Sequence, residues 1–148
     1  MIILDTNVIS EIMKPNDMRS PGVMAWLRLQ SMDELYTTAI SLAEIRAGIA
    51  ILPAGKRRAE KHAAADALFD SIFPQRVLPF DEPAAYAYVD IVTWRRRQRR
   101  TLDAFDMQIC AIAKSRTMAV ATRNTNDFDD SGVPIVNPWA EQGAQDVQ

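Results

Sequence analysis

The sequence predicts an α/β fold: one domain with a mostly parallel sheet flanked by helices on both faces. Three observations carry that prediction. Short apolar segments alternate with stretches of helical periodicity along the chain, the pattern of strands joined by helical crossovers. The first apolar run, Met1-Ile2-Ile3-Leu4, ends abruptly in a carboxylate, a hydroxyl and an amide, Asp5-Thr6-Asn7. In open α/β sheets the ligand crevice lies outside the carboxyl ends of the strands, so a buried strand with that ending marks a site. Finally, 148 residues suit a single domain, which at this size buries about 70% of its unfolded surface and needs no disulfide or structural metal.

The predicted strands are Ile2–Leu4, Leu35–Ala39, Val77–Phe80, Met118–Ala121 and Ile135–Val136. Helical patterns lie between them. After Pro21, the side chains of Val23, Trp26, Leu27 and Gln30 share a face; Ala43, Ala47, Ala50 and Ile51 share the face of another helix. A long mixed helix is expected from Lys56 to Phe73, with Ala63, Ala67 and Leu68 in register, after a turn at Pro53-Ala54-Gly55-Lys56. Pro83 is placed as the first residue of a helix through Tyr88, Val92 and Arg95, because its missing N–H costs nothing there. Ile109, Ile112 and Ala113 mark a last helix from about Asp103 to Arg116. Residues 1–139 form the expected domain, and 140–148 a polar tail.

Composition narrows the chemistry. Apolar residues make up 48% and charged residues 24%, ordinary for a globular protein. One cysteine, Cys110, excludes an internal disulfide and a thiolate zinc site, and on its helical stripe it reads as a small packed apolar residue. With His62 the only histidine, a metal site must be built from oxygen ligands, which favour Mg²⁺, Mn²⁺ or Ca²⁺. No run of 18 apolar residues predicts a membrane span. The N-terminus lacks a basic n-region, so the default expectation is a cytoplasmic location. Neither a phosphate-binding glycine loop nor a serine-hydrolase elbow is present.

The net charge of −2 argues against a generally basic nucleic-acid binder. Charge is locally uneven, however: Trp94-Arg95-Arg96-Arg97-Gln98-Arg99-Arg100 is the densest basic run. It reads both as a helix end, where arginines favour the negative dipole, and as a phosphate contact. The two readings are compatible.

The acids fall at predicted element ends. Ser41-Leu42-Ala43-Glu44 matches a capping box, with Ser41 the cap and Glu44 at the third helical position. Asp103-Ala104-Phe105-Asp106 reads similarly, with Asp103 as cap. First-turn carboxylates stay ionised in the helix dipole, and the same placement suits a metal ligand. From residue patterns alone both roles stay open. The polar cluster Thr122-Arg123-Asn124-Thr125-Asn126-Asp127 follows a strand and is a turn that lies near Asp5 if the two strands are neighbours.

With these residues in view, the chain resembles PIN domains, and among them the VapC toxins of bacterial type II toxin–antitoxin pairs, in their FitB-like branch. The match is carried by Leu4-Asp5-Thr6-Asn7-Val8-Ile9-Ser10-Glu11, Ile40-Ser41-Leu42-Ala43-Glu44-Ile45-Arg46-Ala47-Gly48, Asp106-Met107-Gln108-Ile109-Cys110-Ala111-Ile112-Ala113 and Val120-Ala121-Thr122-Arg123-Asn124, with Asn137-Pro138-Trp139 near the end. The resemblance implies an Mg²⁺- or Mn²⁺-dependent endoribonuclease. It implies Asp5, Glu44 and Asp106 as metal ligands, with Glu44 holding the metal or orienting the attacking water. The family's fourth acid falls at Asn124, here an amide that stands in the catalytic set; Asp103 and Asp127 are further acids whose roles stay open. Thr6 and Thr122 are expected to position the carboxylates or the phosphate, and Asn7 to cap a helix. Arg46, with Arg95, Arg99 and the rest of the basic run, is expected to hold the RNA backbone. A small DNA-binding antitoxin that blocks the acidic pocket and a homodimer are implied partners.

Two rivals stand beside that reading. A phosphoreceiver signalling domain shares the architecture and an acid after the first strand, but it expects an acidic pair where this chain has Asp5-Thr6 and an acceptor aspartate where it has Ala39-Ile40-Ser41. A PIN fold that only binds RNA or protein is the other. Cleavage that vanishes with a chelator separates the enzyme from both.

Overall fold

The computed structural model describes residues 1–101, 103–129 and 131–140. The strands are β1 (Ile2–Leu4), β2 (Leu35–Thr38), β3 (Val77–Leu78), β4 (Ala119–Ala121) and β5 (Ile135–Val136). Among the described residues they are joined by α1 (Thr6–Ile12), α2 (Pro21–Arg28), α3 (Ala39–Ala50), α4 (Lys56–Ala67), α5 (Glu82–Arg97), α6 (Ala104–Ser115) and α7 (Thr125–Phe128). All five predicted strands are present, three of them trimmed. The polar tail, apart from Ala140, lies outside the described residues.

The sheet is parallel throughout, in the order β3-β2-β1-β4-β5. A receiver domain has the order 2-1-3-4-5, so the topology excludes that rival. Strand order reverses between β1 and β4, where Leu4 pairs with Ala121. A crevice opens at such a switch point, and the residues that follow these two strands are Asp5 and Thr122.

Strand side chains alternate between two cores. Ile3 and Val120 pack with α5 and α6 through Ala84, Ile91, Ile109 and Ile112. Leu4, Leu35 and Ala121 pack on the other face with Val8, Trp26, Ile45 and Phe73. Both faces are covered, which is why the strands read as short continuous apolar runs. Gly55, at φ 150° and ψ −169°, caps α4 in a region only glycine visits without strain. A five-residue π-helical segment, Leu68–Ile72, extends α4 towards Phe73.

Several expectations are corrected. The cap of α3 is Thr38, whose hydroxyl accepts from Ser41 N at 3.1 Å. The helix therefore starts at Ala39, Ser41 lies inside it, and Glu44 sits in its second turn rather than in a capping box. The face shared by Ala43, Ala47 and Ala50 is exposed, and Ile51 is 84% exposed. Ser41, Ile45 and Ile49 are buried instead. Burying an isoleucine gains about 1.5–3 kcal/mol against about 0.8 kcal/mol for a methyl-sized group, so the isoleucines decide which face turns inward. In α4 likewise, Ala63 and Ala67 are exposed while Ala65 and Leu68 are buried. Pro83 is the second residue of α5, whose cap is Asp81. Asn7 is not a cap: Asp5 caps α1, accepting from Thr6 N at 2.7 Å.

Candidate active site

The site is built on the switch point. Asp5, 2% exposed, leaves β1 and is fixed on three sides. Its Oδ1 accepts from Thr6 N at 2.7 Å, and its Oδ2 accepts from Thr122 Oγ1 at 2.7 Å and Asn7 Nδ2 at 2.9 Å. A carboxylate has about four acceptor positions, so one remains for a ligand. Burial pushes the Asp5 carboxyl above its ordinary range, against the pull of those hydrogen bonds. Thr122 Oγ1 also accepts from Asn7 Nδ2 at 3.1 Å and Asn124 N at 3.1 Å, while Asn7 Oδ1 accepts from Arg123 N at 3.2 Å. Asn7 thus ties α1 to the turn after β4.

Glu44 is held by a hydroxyl relay. Thr6 Oγ1 donates to Glu44 Oε1 at 2.9 Å. The Thr6 and Ser41 hydroxyls lie 3.0 Å apart, and Thr38 Oγ1 donates to Ser41 Oγ at 3.3 Å. Because a carboxylate only accepts, the hydrogens run from Thr38 through Ser41 and Thr6 to Glu44. Burial, and after it the charges of Asp5 and Asp103, raise the Glu44 carboxyl.

Asp106 enters from α6. Asp103 caps that helix, accepting from Phe105 N at 3.0 Å and Asp106 N at 3.1 Å, as the sequence predicts. Burial first, then the charges of Asp5, Asp103, Asp127 and Glu44, push the Asp106 carboxyl up to about 7. Asp5, Glu44, Asp106 and Asn124 line one open pocket of about 430 Å³. Asp127 feels both Asp5 and Asp106, so its charge reaches the site although Asn124 is neutral.

Five lining residues, Ser10, Glu11, Lys14, Arg123 and Trp139, were given no role from sequence. Glu11, 5% exposed, accepts from Ser20 N at 2.6 Å and pairs with Lys14 at 2.7 Å. Burial works to raise its carboxyl, but those bonds and the Arg123 charge outweigh it and hold it low. Arg123 lies over the Trp139 ring, 5.4 Å from its centroid, at the pocket edge. The signal was present in Glu11: an acid on the buried stripe of α1 with Val8.

The arginines expected to hold RNA fall elsewhere. Arg46 pairs with Asp66 at 2.7 Å and lies over Phe69, since two residues of helix turn it about 200° from Glu44. Arg95 is 4% exposed, with its guanidinium on backbone carbonyls of Thr101, Asp127 and Asp129. Arg99, at φ 54°, occupies the left-handed position that closes α5, with Arg99 N on Arg96 O and Arg100 N on Arg95 O. None of the three lines the acid pocket. Cys110 is 1% exposed with its thiol pushed up to about 12 by burial, as a packed residue rather than a nucleophile.

A parallel sheet with acids gathered at its switch point defines an α/β protein with an acidic pocket at the carboxyl ends of its strands. The PIN domain family matches residues 2–132, and the chain belongs to that family. Toxin FitB of Neisseria gonorrhoeae is 39% identical over 139 residues, spanning 94% of this chain and 99% of the relative. VapC ribonuclease Y4jK of Sinorhizobium fredii is 40% identical over 139 residues, spanning 94% and 98%. Among solved structures, that of FitAB bound to an IR36 DNA fragment superposes with a TM-score of 0.86 at 40% identity, covering 94% of this chain and 96% of the other. The FitAcB crystal structure from Neisseria gonorrhoeae gives a TM-score of 0.82 at 39% identity, covering 95% and 99%.

Proposed function

We propose that this protein is an Mg²⁺- or Mn²⁺-dependent endoribonuclease that acts as the toxin of a toxin–antitoxin pair. The observation that carries the proposal is the crowding of Asp5, Glu44 and Asp106 at one pocket, where burial first and then the neighbouring negative charges push Asp106 up to about 7. Above about pH 7, where Asp106 has lost its proton, such an arrangement is unfavourable until a cation offsets the charge. The ribonuclease named among the relatives supplies the substrate class.

The donor set fits a hard cation: the acidic groups at the pocket are carboxylates, backed by hydroxyls and an amide. Among the described residues no three acidic, histidine or cysteine side chains form a ready-made metal cluster. Mg²⁺ does not need one, because it keeps several waters and is held by one or two carboxylates. Asp5, with its one spare acceptor position, and Asp106 are the residues that would hold it. When bound, the ion would lower the pKa of a water and offset charge building on the phosphate.

The chain's own groups do the rest. Thr122 and Asn7 keep Asp5 oriented, and Thr6 keeps Glu44 aimed across the pocket. Glu44, with a raised carboxyl, is suited to accept a proton from the attacking water. Purified protein should cleave RNA in Mg²⁺ and stop in chelator. RNA binding with no cleavage under any divalent ion would instead make it a binding module.

By the same reasoning, a small DNA-binding antitoxin is the proposed partner, supported by the FitAB structure bound to DNA and the VapBC-5 toxin–antitoxin structure among similar structures; a homodimer is proposed beside it. The fourth position gives a further test. Asn124 is exposed at the pocket, so Asn124→Asp adds a charge there and should tighten Mn²⁺ about tenfold. Unchanged affinity and stoichiometry in titration calorimetry would show that Asn124 does not face the ion.

A further inference from the structure

We propose that the RNA strand leaves the acid pocket along the groove between α1 and α3 and is gripped at the far end by Arg57 and Lys61 of α4. This rests on the ribonuclease reading and adds the path of the substrate. Three hollows adjoin one another around α1, and the acid pocket also meets the third directly at Lys14. The acid pocket shares Thr6, Ser10 and Glu44 with a second hollow of about 340 Å³. That one shares Met13, Arg57 and Lys61 with a third of about 680 Å³ beside α4.

Two cations on this path are uncommitted. Arg57 and Lys61 are exposed, one helical turn apart on the same face of α4. Among the described residues their side chains make no hydrogen bond or ion pair. Three neighbouring cations are already paired: Lys14 with Glu11, Arg46 with Asp66, and Lys56 with Glu60, an acid that lines the third hollow. A pocket of carboxylates repels a polyanion everywhere except at a bound ion, so the flanking strand needs cations close by. The 95–100 arginines line none of these three hollows.

Gly48 supplies an independent observation. It lies one turn beyond Glu44 inside α3 and lines the second hollow. A Cβ there would meet nothing within 4 Å, and no positive φ demands glycine. Glycine inside a helix is unfavourable relative to alanine, and neither packing nor backbone explains it here. What it does is leave the floor of the groove bare beside the acids. An RNA strand explains the bare floor, the open cations and the continuity with the pocket together.

The test uses the full chain carrying Asp106→Asn, so that a labelled single-stranded RNA stays intact while anisotropy reports binding. Adding Arg57→Ala and Lys61→Ala should weaken binding about tenfold at low salt, and two lost phosphate contacts should lower the log–log salt slope by about 1.4. Arg97→Ala, an exposed arginine that lines none of the three hollows, should change neither. Gly48→Gln should weaken RNA binding without lowering Tm, a pairing that a purely structural glycine does not give. In the otherwise unaltered protein, Arg57→Ala with Lys61→Ala should raise KM and leave kcat. RNA bound by the parent and the double variant with equal Kd and slope would overturn the groove and leave the ribonuclease reading standing. A protein that neither binds nor cleaves RNA would overturn both. A poly-glutamate peptide held by Arg57 and Lys61, with no binding of RNA, would overturn the path in favour of a protein partner.

Discussion

Asp106→Asn is expected to remove RNA cleavage almost entirely while making the metal-free protein melt higher than the wild type. The loss of activity follows from the lost metal ligand. Metal stabilisation of transition-state charge is worth several kcal/mol, and at about 1.36 kcal/mol per tenfold the rate should fall about a thousandfold or more. The gain in stability follows from charge. Burial, with Asp5, Asp103, Asp127 and Glu44, raises Asp106 to about 7 in the folded chain, against an ordinary carboxyl value near 4 when unfolded. The native state therefore binds a proton that the unfolded state lacks between about pH 4 and 7. Stability is greatest below that window and falls as pH rises through about 7. Asp106 is partly exposed, so solvent screening leaves a cost on the order of 1 kcal/mol above pH 7. Losing a first-turn charge on α6 costs only a few tenths of a kcal/mol, and Asp103 still caps the helix. Relief of repulsion wins. Thermal melts in chelator at pH 5 and pH 8 should show the wild type losing stability with pH and Asp106→Asn losing less. Mg²⁺ should raise the wild-type Tm at pH 8, because it binds only the native state, and should leave the variant nearly unchanged. A variant that melts lower in chelator, beside a wild type indifferent to Mg²⁺, would reduce Asp106 to a helix-end charge.

The acids that define this site were legible because each sits where a local pattern ends. Asp5 closes the β1 run, and Asp103 and Asp106 open α6 with ordinary capping chemistry. What failed was the choice between two equally good local answers. Thr38 and Ser41 can each cap a helix, and Ser41 comes with an acid three residues on. Pairing of Thr38 with Leu78 ends β2 at that residue, so Thr38 takes the cap and Glu44 is released towards the pocket. No window of sequence contains that pairing. Asn7 fails for the same reason, since its partner Thr122 is 115 residues away. The basic run is a different case. Ala84, Ile91 and Arg95 fall on one buried stripe of α5, so helical periodicity assigns Arg95 to the interior while its neighbours stay outside. The charge drew attention to the run, and the period already separated its members.

Arg95→Ala is accordingly expected to be among the most damaging single changes in the protein, and damaging to stability rather than to RNA contact. The Arg95 guanidinium donates to Thr101 O at 3.2 Å, to Asp129 O at 3.3 Å and to Asp127 O. Truncation strips these carbonyls of a charged donor and opens a cavity under α5. A fully buried acceptor left unpaired costs about 1–3 kcal/mol; these three belong to exposed residues and the bonds are part-buried, so water recovers part of that cost and the lost packing of a side chain 4% exposed makes up the rest. A net loss of about 3 kcal/mol is a large share of the roughly 5–15 kcal/mol that holds a domain together, and it should lower Tm by about 6–12 °C. A solvated arginine of the same run should stay within about 0.5 kcal/mol of wild type, so Arg97→Ala is the matched comparison. Arg95→Lys should rescue little, because an ammonium is a point donor and cannot span three carbonyls as a planar guanidinium does. The damage should also be directional. Two of the three carbonyls belong to Asp127 and Asp129, at the end of the α7 turn that carries Asn124 and Asp127 to the pocket. Hydrogen exchange should therefore rise first in residues 124–129, and Mn²⁺ affinity should fall even at temperatures where the variant is folded. Urea denaturation, exchange and calorimetry on Arg95→Ala, Arg95→Lys and Arg97→Ala measure all three effects. Wild-type stability in Arg95→Ala, together with weaker and less salt-dependent RNA binding, would return this arginine to the RNA surface and refute its role as the clamp on α7.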